Sequence, residues 1–215
     1  MIRAGADARH ARIGLVLAHG RGSSAADILR LVDMAGLTDV AAIAPEPVGN
    51  TWWPTSFLAT SAQTGSYVAA AIALMRNAMT ALEADGLPRH RIWLGGFSQG
   101  ACLALDTFAR EGTGLAGCFA FSGGLIGTAD ASGEPMADLY GHLPKAFDYE
   151  GRRDGAKVWL SVHERDPHIP LRRVEDSAQV LGAQGADVRL QIYPGAGHAV
   201  MPDDIAALRG GIMAR

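Results

Sequence analysis

Cysteine is nearly absent. Only Cys102 and Cys118 occur in 215 residues. Both sit in apolar runs, one in a predicted core helix and one in a predicted core strand, so they read as buried small hydrophobes rather than a disulfide. No run of about 18 apolar residues exists, so no membrane span is expected. The 19 lysines and arginines form no dense cluster, the net charge is −3 and the pI is near 6.1. A nucleic-acid partner is therefore not expected. The opening stretch MIRAGADARHARIG has charges but neither an apolar core nor a cleavage-like site, so no signal peptide is expected. Internal repeats and low-complexity tracts are also missing. Together these absences point to a soluble cytoplasmic protein.

What is present is apolar material in short alternating blocks. The chain is 48% hydrophobic, enough for a sizeable core, and one α/β domain over residues 1–215 is expected. Predicted strands are 13–19, 40–45, 91–97, 115–122, 157–163 and 188–194. Amphipathic helices lie between them. Ile28, Leu31, Val32 and Ala35 share one face, behind a start signal at Ser24 and Asp27. Val68, Ile72, Met75, Met79 and Leu82 make a second stripe, and Leu171, Val174, Ala178 and Leu181 a third. Gly182 and Gly185 are placed to end that helix. A last helix starts near Pro202, with Ile205, Leu208 and Ile212 inward. Strand alternating with helix predicts a mostly parallel central sheet with helices on both faces. Residues 123–155 form one long irregular segment, of a length that usually borders a site, and are expected to make a partial rim or lid.

The stretch WLGGFSQGAC puts Ser98 between Gly96 and Gly100. A predicted strand ends just before it and a helix begins just after. Such a sharp turn strains the residue at its apex and crowds the positions two before and two after, where glycine removes the clash. The hydroxyl is then raised above the sheet, beside a helix N-terminus. Glycine makes up 27 of the residues, well above the usual share of about 7%, so the pattern needs support from partners.

A serine needs a base to take its proton and a carboxylate to orient that base. In doubly wound sheets these lie beyond the C-terminal ends of strands. KVWLSVHERDPHIP reaches Asp166 after one strand, and VRLQIYPGAGHAV reaches His198 after the next. The other acids and histidines fit less well. His163 and His168 flank the acid itself and read as packing or local hydrogen-bonding residues. Asp203 and Asp204 read as first-turn helix residues. Two backbone N–H groups should face the developing oxyanion. The Gln99 amide follows the nucleophile, and the Arg21 amide lies in the glycine turn of VLAHGRGSS. His19 reads as structural. In GNTWWPTSF, two adjacent tryptophans are costly to expose, so at least one should pack. Trp52, Trp53, Phe57 and Ile169 are the expected pocket residues, with Leu125 and Ile126 as weaker candidates.

AHGRGSS, GFSQGA, DPHIP and YPGAGHAV, in this order, resemble the phospholipase/carboxylesterase family of α/β-hydrolases, from about Ile13 to Leu208. The resemblance implies an α/β-hydrolase fold without a large cap domain. It implies Ser98 as nucleophile, Asp166 as acid, His198 as base, and Arg21 and Gln99 as the oxyanion hole. It also implies a serine carboxylesterase, acting through an acyl-enzyme on small-molecule esters of short to medium acyl chains, with no cofactor and no metal. The alternatives are a lysophospholipase or acyl-thioesterase on long chains, an amidase or peptidase, and a ligand-binding protein that keeps the fold without turnover. Three residues depart from the family pattern: Arg21, Glu164 and Arg165. A monomer and a homodimer are both compatible with the sequence.

Overall fold

The structure is a computed structural model that describes residues 1–213. Strands β1 (Ile2–Gly5), β2 (Ile13–Ala18), β3 (Val40–Ala44), β4 (Ile92–Phe97), β5 (Gly117–Phe121), β8 (Lys157–Arg165) and β9 (Asp187–Ala196) form one sheet; β6 (Ala129–Asp130) and β7 (Lys145–Ala146) lie outside it. The order of the main sheet is β1-β3-β2-β4-β5-β8-β9. Among the described residues six of its strands run parallel, and β1 alone is antiparallel, against β3. Strands β2, β3 and β5 are buried along their whole length, as expected for parallel strands covered on both sides.

Alternation along each strand divides the core. Val16, Ala18, Ile43, Leu94, Cys118 and Leu160 face α2 (Ser61–Ala84), α3 (Gln99–Glu111) and α4 (Leu171–Ala183). Leu15, Leu17, Val40, Trp93 and Phe119 face α1 (Ala25–Met34) and α5 (Pro202–Met213) on the other side. The helical stripes explain this docking, because Ile28, Leu31 and Val32 of α1 and Val68, Ile72, Met75, Met79 and Leu82 of α2 are buried. Ser24 caps α1, its side chain accepting from the Asp27 amide at 3.2 Å. Both cysteines are free and buried, and burial pushes the Cys102 thiol up to about 12.

Three features lie outside the expected pattern. Strand β1 falls in the opening stretch, where no strand is expected. The segment 123–155 contains a small two-stranded sheet, β6 with β7, and a 3₁₀ turn at Ala137–Leu139. Strands β8 and β9 continue past their expected ends, pairing as far as Arg165 and Ala196 with an irregularity near the end. Among the described residues no helix is long and apolar enough to cross a membrane.

Candidate active site

The turn after β4 shows why its glycines are needed. Ser98 has φ 56° and ψ −123°, a strained conformation for a residue with a side chain. A Cβ on Gly96 would lie 2.5 Å from the Gly100 carbonyl carbon, and one on Gly100 would overlap the Ala18 carbonyl oxygen. Neither atom is free to move, because both are backbone of packed elements. The glycines therefore let β2, β4 and α3 approach closely enough to force the bend. The Ser98 amide donates to the Phe121 carbonyl at 2.9 Å, which ties the apex to the neighbouring strand.

Ser98 meets both expected partners. His198 Nε2 lies 2.8 Å from Ser98 Oγ, and His198 Nδ1 lies 2.8 Å from Asp166 Oδ2. With Nδ1–H donating to the carboxylate, Nε2 is left to accept from the serine hydroxyl. Asp166 is buried, and its other oxygen accepts from the His168 and Ile169 amides at 2.8 and 3.0 Å. Burial is the largest single influence on this carboxyl and pushes its pKa up. The hydrogen bond to His198 and the two amides outweigh it and hold the group below its ordinary value. Asp166 thus stays ionised where the site needs it. His198 leans on the Phe97 ring, with centroids 4.9 Å apart, and meets the edge of His168 at the same separation.

In front of the serine lies a cleft of about 640 Å³ lined by Gly20, Arg21, Trp53, Phe57, Phe97 and Ile169, with Gln99, Cys102 and His168 also on its surface. The Arg21 and Gln99 amides have no hydrogen-bond partner among the described residues. The Gln99 side chain holds the cleft wall: its Nε2 donates to the Trp53 carbonyl at 2.8 Å, and its Oε1 accepts from the Trp52 amide at 3.1 Å.

Trp52, expected on this wall, is absent from the lining. Its indole is turned inward, donating to the His19 carbonyl at 2.8 Å with its ring against the His19 imidazole. The weaker candidates Leu125 and Ile126 also fall elsewhere, in the core on the side of α3 and α4. Segment 123–155 does not form the expected rim or lid, since it contributes no described residue to the cleft lining. It folds against α2 and α4 instead. Asp130 accepts from the Ser61 amide at 3.0 Å, Lys145 donates to the Ala59 carbonyl at 2.6 Å, and Asp138 lies 3.6 Å from the Arg172 guanidinium. Among its links to the site are the Tyr140 hydroxyl, which donates to the Asp166 carbonyl, and the Gly124 backbone, which hydrogen-bonds Cys102.

Sequence reasoning passes over Phe97, Cys102 and His168 as cleft residues. Phe97 and Cys102 flank Ser98 at −1 and +4, and that spacing is the available signal. Glu164 accepts from the Gly195 amide at 3.0 Å and so ties the strand end that leads to His198. Asp204 is in the first turn of α5 as expected, but it is buried and accepts from Tyr193 Oη at 2.9 Å and Trp159 Nε1 at 3.1 Å.

A family model described as phospholipase/carboxylesterase matches residues 4–138, more than half of the chain; Ser98 is inside that span, Asp166 and His198 beyond it. Acyl-protein thioesterase 1 of Gibberella zeae is 32% identical over 123 residues, which is 56% of this chain and 46% of that protein. Its counterpart in Eremothecium gossypii is 31% identical over 126 residues, 55% of this chain and 45% of that protein. The chain thus spans about half the length of these curated relatives. A solved phospholipase/carboxylesterase from Dyadobacter fermentans is 34% identical with a TM-score of 0.86, covering 99% of this chain and 95% of that one. The carboxylesterase of Bacillus cereus shares the fold at 14% identity, with a TM-score of 0.75 over 99% of this chain and 92% of that one.

Proposed function

Because the chain belongs to the phospholipase/carboxylesterase family of α/β-hydrolases, we propose that it is a serine carboxylesterase for esters of short to medium acyl chains. The observation that carries this reading is the hydrogen-bonded line from Asp166 through His198 to Ser98, which opens into an aromatic cleft. His198 takes the Ser98 proton as the hydroxyl attacks the ester carbonyl. The oxyanion of the tetrahedral intermediate is held by the Arg21 and Gln99 amides. The alcohol leaves with a proton from His198. Water, deprotonated by His198, then attacks the acyl-enzyme and releases the acid and Ser98. Asp166 keeps the imidazole in the required tautomer and balances its charge. Every step uses protein groups and water, so the reaction draws on no metal and no organic cofactor. The substrate is a small-molecule ester, and segment 123–155 lies aside from the cleft rather than over it.

A second reading has one specific observation in its favour: both curated relatives are named acyl-protein thioesterase 1. The same groups serve a thioester, with a thiol as the leaving group.

The test is hydrolysis of p-nitrophenyl esters from acetate to palmitate, with a palmitoyl thioester and Ser98→Ala measured alongside. Expected is activity peaking at short chains and lowered by several orders of magnitude in Ser98→Ala. A peak at long chains or on the thioester favours the second reading. Full activity in Ser98→Ala overturns both.

A further inference from the structure

The wall that faces Ser98 has no regular structure of its own. After the 3₁₀ turn Val48–Asn50, residues 51–60 run without helix or strand until α2 begins. They nevertheless carry Trp53 and Phe57, the two largest apolar groups on that side of the cleft. The segment is anchored by Trp52, Trp53, Phe57 and Leu58, which are buried in the core, and its backbone polar groups are tied by Arg21 and Gln99, which themselves line the cleft. Gln99 grips the Trp52 amide and the Trp53 carbonyl. The Asn50 carbonyl accepts from the Gly22 amide at 2.8 Å. The Arg21 guanidinium donates to the next two carbonyls, Pro54 at 2.9 Å and then Thr55.

Arg21 fits this task for a chemical reason. A guanidinium presents several N–H groups in a fixed fork and has no acceptor of its own, so one side chain fixes two successive carbonyls. Among the described residues it makes no ion pair that would draw it away. It is also the only described cleft-lining side chain with a permanent charge. Methionine at this position has much of the length but no donor, and lysine has donors without the fork.

We propose that the Arg21 side chain is a specificity-determining positioning residue: it fixes the 51–57 wall against the reaction centre and so sets how large an acyl or alcohol group the cleft accepts. The proposal rests on the hydrolase reading above for its kinetic part, but the clamp itself is a statement about the fold. Movement of the wall changes the fit of groups that touch Trp53 and Phe57. It bears less on an acetyl group too small to reach them, and any disturbance of the Arg21 amide in the oxyanion hole falls on both esters alike, so the ratio between them reports on the wall. The selectivity between the two is therefore the signature, because a general loss of folding lowers both together.

The experiment compares wild type, Arg21→Met and Arg21→Lys by two readouts. The first is amide hydrogen exchange of residues 52–59, where the Trp52, Leu58 and Ala59 amides are hydrogen-bonded, and it needs no turnover. The second is kcat and KM for p-nitrophenyl acetate and hexanoate. Two lost hydrogen bonds correspond to roughly tenfold in an equilibrium. Expected in Arg21→Met is faster exchange confined to 52–59, and a rise in KM for hexanoate of about that size, clearly larger than for acetate. Arg21→Lys should recover part of both. Unchanged exchange in 52–59 overturns the clamp. Faster exchange with acetate and hexanoate affected equally, or with only kcat changed, overturns the specificity role. A wild type with no serine-dependent hydrolysis defeats the carboxylesterase reading instead, and the exchange result then still decides the clamp.

Discussion

The two halves of the site are held in different ways. The half around Ser98, the proposed nucleophile, is built by exclusion. At Gly96 and Gly100 there is no room for a methyl group, and the neighbouring atoms are backbone. The half around His198, the proposed base, is built by leaning. His198 stands beyond the edge strand β9, half-buried, between the rings of Phe97 and His168, and Gly197 rests on the ring of His163. A nucleophile forced into strain needs immovable surroundings. A base that must receive a proton from one partner and return it to another needs orientation but little confinement. The difference teaches that identical substitutions should fail by unfolding on one side and by misplacement on the other.

The largest effect expected is Gly100→Ala. Its Cβ has nowhere to go, so the loss should exceed about 3 kcal/mol, read as a large fall in melting temperature or as insoluble protein. A folded, active Gly100→Ala would break the comparison. Asp166→Asn comes next. It keeps the shape but reverses the preference of the ring tautomer, so turnover should fall by roughly 10³ to 10⁴ with only a modest loss of melting temperature at neutral pH. It also sharpens the electrostatic account. Asp166 is held below its ordinary value of 3.8, so its ionised form adds stability that is present above that value. This part is lost as the pH falls through the lower folded-state value. Wild type and Asp166→Asn should therefore converge in stability at acid pH, and a gap that widens there contradicts the sign.

The smallest effect expected is Gly197→Ala. Its Cβ would meet His163 Nε2 at 2.7 Å, an atom of a buried side chain rather than of backbone. Activity should fall by about 10- to 100-fold, as a displaced general base implies, with only a small loss in melting temperature. His163→Ala placed in the same protein should recover part of that activity. No recovery would show that the His163 ring does not set the position of His198.

The sheet is legible in the sequence because β2, β3, β4 and β5 are continuous apolar runs, β8 has an apolar centre and the edge strand β9 alternates, with helical stripes of the right period between them. Ser98 is legible for a rarer reason. The steric demand of its turn falls on positions at −2 and +2, so the backbone constraint is written as a local pattern. Asp166 and His198 follow from the rule that partners lie after strands. Strand β1 is not legible, since four largely exposed residues carry no periodicity. Trp52 is misplaced because adjacency in sequence hides that neighbouring side chains leave an extended stretch on opposite sides. The bonds from Arg21 and Gln99 to the wall join residues 33 to 47 positions apart through backbone atoms, and a backbone atom carries no mark of residue type.

The close approach of Gly96 and Gly100 to Ala18 has a consequence for how such a protein can diversify. In a library holding every single substitution, these two positions should accept almost nothing. Pro54 and Ser56, exposed on the wall, should accept most residues. Variation is thereby channelled away from the bond-breaking apparatus and into the surface that meets the substrate. A lineage built on this frame can change what it consumes in single steps, while the way it consumes it stays inherited.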